Sequence, residues 1–232
     1  MADNQIIRKG LTPMKKIALV LMSAIMALSF ASCAKKPETK PTEATPVIIN
    51  DSFTPTKPDE DPVMLGVFDG GLTWELYENG SLYISGEGAM PEWTSVKDSV
   101  WRDKINTIKT VYINKGVTTV GSFAFTNAIN LTAVYLSDTV TAIGNSAFQR
   151  CEKLATVAIP SSVTEIGAAA FGSCFALESF TIPETVENIG DGCFKGWGEG
   201  QKITVKNSES FVTENWSEGW KTDCEAEIIM NA

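Results

Sequence analysis

A β-rich solenoid with coils of about 23 residues is the fold this sequence predicts, and three observations predict it. The stretch VTTVGSFAF, beginning at Val117, returns as VTAIGNSAF, VTEIGAAAF and VENIGDGCF. Self-similarity at a fixed period of this length marks stacked repeats. Each copy is preceded by a short run in which apolar and other residues alternate, the pattern of a half-buried strand. A glycine recurs in register at Gly121, Gly144, Gly167 and Gly190. Such a position suits either a positive φ or a close backbone approach.

Taken in chain order, the first element is an export leader over residues 1–32. Residues 14–33 read MKKIALVLMSAIMALSFASC: two lysines, an apolar run from Ile17 to Phe30, then small residues before Cys33. The apolar run is shorter than the ~20 residues of a membrane-spanning helix and fits the hydrophobic region of a secretory signal. Met14 reads as the true start. LSFAS followed by Cys33 resembles the lipobox of bacterial lipoproteins, although Phe30 stands where leucine is usual. The resemblance implies cleavage before Cys33 and a diacylglycerol on its thiol. Each buried CH₂ of such an anchor contributes ~0.8 kcal/mol of membrane binding. Ala34 replaces the aspartate that signals inner-membrane retention in some Gram-negative lipoproteins. The expected location is therefore the cell envelope, lipid-anchored, at the outer membrane or cell surface rather than the inner membrane.

Residues 33–62 are rich in Pro, Thr, Lys, Glu and Asp, as in KKPETKPTEATP and FTPTKPDEDP. They bury too little apolar surface to order themselves and predict a disordered, extended tether. VIIN at 47–50 is an apolar island in it, able to dock transiently. Residues 63–107 predict an N-terminal capping module. ELYENGSLYIS reads as a hairpin turning at Asn79-Gly80, and TSVKDSVWRDKIN is helix-like.

The coils occupy 108–206 and start at Ile108, Leu131, Leu154, Leu177 and Gly200. In LATVAIP, Val157 and Ile159 face inward. VTEI supplies a second short strand with Val163 and Ile166 inward. Phe171, with counterparts Phe125, Phe148 and Phe194, fills the core. One coil buries too little to fold alone, so the coils stand together. Residues 207–232 predict a small C-terminal cap.

A leucine, then V-x-I-P, V-T-x-I-G, A-F and C in each coil resembles the BspA-type leucine-rich repeat family of bacterial surface proteins. The preceding LTWELYENGSLYISGEGAMPEW and VWRDKINTIKTVYI are similar to that family's N-terminal module. The resemblance covers about residues 65–230. It implies a leucine-rich repeat solenoid and a role in adhesion or contact with host or bacterial surfaces.

Composition narrows the chemistry. The chain holds no histidine and carries a net charge of -9. Its first 32 residues contain four basic residues and one acidic, so the remainder is more acidic still. An acidic body repels phosphate backbones, so no nucleic-acid partner is expected. No nucleophile has a histidine partner, no glycine-rich phosphate loop is present, and no CxxC spacing offers a zinc site. No catalytic residue, metal or cofactor is expected.

Binding candidates come from what varies between repeats. The outward positions of the first strand form the row Tyr112, Tyr135, Ala158, Thr181 and Thr204, flanked by Lys109 and Glu178. Stacked tyrosines can anchor a partner or simply stabilise the sheet by cross-strand pairing. Trp216 and Trp220 would stack on a sugar if exposed and plug the solenoid end if buried; the sparse cap favours burial. Thr118, Thr141 and Thr164 read as strand formers. Cys151 and Cys174 share a repeat position and read as buried thiols, while Cys193 and Cys224 are a possible pair across the cap. The expected function is non-catalytic binding or adhesion to a protein or glycan on a host or bacterial surface. A glycan-binding module of a nutrient-capture system and a structural spacer are the alternatives.

Overall fold

The computed structural model describes residues 48–50 and 52–230. The leader, Cys33 and the first part of the tether lie outside the described residues. The chain runs β1 (Met64–Val67), β2 (Thr73–Leu76), β3 (Ser81–Ser85), β4 (Gly88–Ala89), then two short 3-10 helices over Val96–Asp98 and Arg102–Thr107. The coils follow with β5 (Thr110–Ile113), β6 (Val117–Val120), β7 (Ala133–Leu136), β8 (Ala142–Ile143), β9 (Thr156–Val157) and β10 (Glu165–Ile166). They continue with β11 (Ser179–Ile182), β12 (Asn188–Ile189) and β13 (Lys202–Val205). The chain ends in α1 (Glu209–Asn215) and β14 (Glu227–Met230).

The repeat folds as a β-solenoid because each segment of a coil bonds to the same segment of its neighbours. One strand of every coil joins the first sheet, β1-β2-β3-β5-β7-β9, or the third, β11-β13-β14. The other joins the second sheet, β12-β10-β8-β6-β4. Pairing between coils is parallel and in register, as in Val111↔Val134 and Phe180↔Ile203. The stretch with Phe125 and its counterparts forms a third wall of backbone bonds, such as Phe125 N to Ala147 O at 2.8 Å and Phe148 N to Ala170 O at 2.9 Å.

The hairpin is present: β2 and β3 pair antiparallel around the Asn79-Gly80 turn, with Gly80 at φ 89°. It is more than a lid. β3 pairs in parallel with β5, and β4 with β6, so the N-terminal module supplies the first rung of two sheets.

Inside, Phe125, Phe148, Phe171 and Phe194 stack with centroids 5.4, 5.4 and 6.3 Å apart. Trp101 extends the column at 5.3 Å from Phe125 and nearly parallel to it. Beside this column the repeat position held by cysteine has a polar duty. Cys151 Sγ donates to Phe125 O, and Cys174 Sγ to Phe148 O, each at 3.2 Å. In the next coil Trp197 replaces the thiol, and its Nε1 donates to Phe171 O at 2.8 Å. A buried carbonyl left unpaired is costly, so thiol and indole are both retained as donors. Burial pushes the Cys174 thiol up to about 12, so it stays neutral. Cys151, Cys174, Cys193 and Cys224 are all free thiols.

The recurrent glycine row resolves to close approach. None of the four residues has a positive φ, and a Cβ on Gly144 would stand 2.4 Å from Ser122 N. The left-handed backbone falls two residues later instead, at Phe123, Ser146, Ala169 and Gly192, with φ between 52° and 59°.

Candidate partner-binding face

The outward face of the first sheet is built by strand alternation. Val111 and Ile113 point into the core, which turns Tyr112 outward. In-register pairing then sets Tyr83, Tyr112 and Tyr135 side by side. Their rings stack at 4.6 Å and 14°, then 5.0 Å and 7°. Tyr77 meets Tyr83 edge-on at 5.6 Å. Burial, then Tyr112 and Tyr77, push the Tyr83 phenol up to about 12. Burial, then Tyr135, raise Tyr112 in the same direction. Tyr83 and Tyr112 therefore stay neutral at neutral pH. Tyr83 falls outside the 23-residue period, although SLYI has the same pattern as TVYI.

The rest of the predicted row is divided from this ladder. β7 and β9 pair only through Ala133↔Thr156 and Val134↔Val157, so Ala158 lies beyond their pairing. Thr181 is exposed on β11, opposite Thr204 of β13 in the third sheet. Lys109 and Glu178 are exposed at strand entries. Their carbonyls serve the next coil, accepting from Thr132 N at 2.8 Å and Lys202 N at 3.0 Å. The structure thus brings the tyrosines together and sets Thr181 and Glu178 on a separate polar patch.

The tyrosine ladder is not bare. Residues 48–50 and 52–57, expected to be disordered tether, lie along it. Ile49 is 2% exposed and bridges Ser137 in parallel, donating to Leu136 O at 2.8 Å and accepting from Asp138 N at 3.0 Å. The Phe53 ring sits 6.0 Å from that of Tyr135. Tyr83 Oη donates to Thr56 O at 2.8 Å, and Lys57 pairs with Glu75 while lying 5.9 Å from the Tyr83 ring centre. The tether reading fails for these residues because Ile49 and Phe53 find apolar surface that composition alone does not reveal.

Trp216 and Trp220 are each 5% exposed and pack edge-to-face at 5.4 Å. Trp216 Nε1 donates to Val186 O at 3.2 Å, and Trp220 meets Phe194 at 6.1 Å. They plug the end of the core, and too little of either ring is open for a sugar to stack on. The second-strand threonines are also structural: Thr141 Oγ1 donates to Thr118 O at 3.1 Å. Among the described residues no cluster of three or more His, Cys, Asp or Glu is grouped to hold a metal. No helix among them is long and apolar enough to cross a membrane.

Coil length, parallel walls and an internal phenylalanine column define a leucine-rich repeat solenoid. The BspA type leucine-rich repeat region matches residues 94–217 in six copies, and the chain belongs to that family. A leucine-rich repeat protein from Eubacterium ventriosum is similar in structure, with 26% identity and a TM-score of 0.58 over 69% of this chain and 42% of that one. A leucine rich cell surface protein from Faecalibacterium prausnitzii also has 26% identity, with a TM-score of 0.41 over 60% of this chain and 44% of that one. The chain spans under half the length of either protein. No curated protein matches it.

Proposed function

We propose that this chain is a lipid-anchored protein of the bacterial cell surface whose solenoid binds a macromolecular partner without catalysis. The binding face is the outward side of the first sheet, centred on Tyr112 and Tyr135, with Lys109 exposed at a strand entry; Thr181 and Glu178, at the third sheet, stand apart from it. One observation carries this reading: the first sheet holds Ile49 through backbone hydrogen bonds at Leu136 and Asp138, and Phe53 through ring contact with Tyr135. A flat row of aromatic rings suits a protein partner, since tyrosine supplies contact area at low entropic cost. Membership of the BspA-type family supports surface contact as the setting.

Capture from host or neighbouring-cell surface extracts tests the binding. The Tyr112→Ala, Tyr135→Ala double variant should lose a partner that the unaltered chain retains, at a temperature where both give cooperative melts. Retention of the same partner by both refutes the face. Cys33→Ser should move the protein from the membrane to the soluble fraction; membrane association that persists refutes the anchor.

A further inference from the structure

The repeat itself opens a backbone acceptor on this face. Across the parallel rungs, a residue near the end of one strand donates to the carbonyl 24 positions earlier: Thr156 N to Thr132 O at 3.2 Å, and Lys206 N to Ile182 O at 3.1 Å. The same register aligns residue 160 with Leu136 O. Residue 160 is proline, which has no N–H to donate. Ile49 takes its place, and Asp138 N completes the pair of bonds. Sheet edges of this kind are where extended peptides add as strands.

We infer that the backbone from Leu136 to Asp138, with the Tyr135 ring beside it, is a strand-addition site for a peptide of a partner protein, occupied in cis by residues 48–50 and 52–57. This rests on the surface-binding reading above and names its partner chemistry. The cis segment displays what the site selects. An aliphatic residue with a free N–H enters the edge. An asparagine follows, and Asn50 Oδ1 accepts from Ser52 N at 2.8 Å and Phe53 N at 3.2 Å, folding a tight turn. That turn sets an aromatic residue, four places after the aliphatic one, against Tyr135. A basic residue beyond it meets Glu75 and the Tyr83 ring. The partner peptide therefore reads aliphatic-Asn-x-x-aromatic, then basic.

The cis segment also gates the site. Val63 N is fixed to Leu76 O at 2.8 Å, so only residues 58–62 separate the strap from the sheet it covers. A link that short holds the strap at an effective concentration of roughly millimolar. A partner peptide must displace it, and its apparent affinity falls with the fraction of open sites.

The test uses the full chain and a fluorescent peptide of residues 46–58, PVIINDSFTPTKP. The strap-released variant carrying I49D and F53A should bind the peptide at least about tenfold more tightly than the unaltered chain. Adding Tyr135→Ala to it, or N-methylating the peptide at the position of Ile49, should each cost about tenfold or more. F53A alone serves if the double variant does not melt cooperatively. Equal binding to released and unaltered chains overturns the cis occupancy, and indifference to N-methylation overturns strand addition. An unaltered chain that elutes as a dimer, with the released variant a monomer, assigns the site to a second copy and overturns the partner peptide. Peptide binding without any captured surface partner removes the wider reading and leaves the site. Capture that neither strap release nor competing peptide affects removes the site and leaves the wider reading.

Discussion

Gly144→Ala is expected to break the solenoid at its middle. The added Cβ would stand 2.4 Å from Ser122 N and 2.8 Å from Ser122 Cα, both atoms of the preceding coil. Ser122 Oγ, also 2.8 Å away, could turn aside, but the backbone atoms cannot, so the two coils must part. Their separation would stretch Gly144 N to Val120 O, now 2.8 Å, and Asn145 N to Ser122 Oγ, now 3.0 Å. Overpacking a core against movable side chains costs about 1–3 kcal/mol. Against backbone we expect about 3 kcal/mol or more. In a stack where each coil contacts only its neighbours, the loss falls on one interface. Urea unfolding should therefore shift to a lower midpoint and separate into two steps. Gly172→Ala is the control: its nearest neighbour would be Ala169 O at 3.4 Å, and its φ is not positive. It should stay within about 1 kcal/mol of the unaltered chain. Equal midpoints for the two variants would sink the close-approach account.

The same glycine row shows how far letters alone reach. Its period was plain, and so was the fold, because apolar alternation and a repeated glycine leave few ways to stack coils. Why glycine is needed was not plain, since close approach and positive φ write the same letter. The positive φ lies at Phe123, Ser146 and Ala169, where no residue type marks it. Ordinary side chains are held there by bonds to the next coil, such as Phe123 N to Asn145 O at 2.9 Å.

At the candidate face, Tyr112 and Tyr135 were legible because strand alternation fixes which residues point out. The cover was not. Ile49 meets Leu136 across a long stretch of sequence, and its place depends on a proline whose effect is felt by a carbonyl in another coil. Composition describes residues 33–62 as proline-rich and polar. It could not say that two apolar side chains among them had a surface waiting. The buried tryptophans were legible as a plug from the poverty of the cap. Cys151 and Cys174 are legible as apolar fillers, but their S–H bonds to the preceding coil require the register.

The N-terminal end gives the second large effect. Trp101 is fully buried and meets Phe68, Trp74 and Trp93 edge-on at 5.6–5.9 Å. On its other side it stacks on Phe125 at 5.3 Å and 2°, and its Nε1 donates to Ala124 O at 2.7 Å. One ring thus belongs to the hairpin module and to the phenylalanine column together. Trp101→Ala should cost about 3–5 kcal/mol from the cavity alone. The orphaned Ala124 carbonyl adds about 1–3 kcal/mol. Trp101→Phe separates the two contributions, because it keeps the stack and loses the donor; it should cost mainly the second. Since solenoid ends need caps, the loss in Trp101→Ala should appear first as amide hydrogen exchange in β3 and β5, ahead of β11 and β13. Uniform exchange along the chain would mean that the hairpin and coils do not depend on this ring for their coupling.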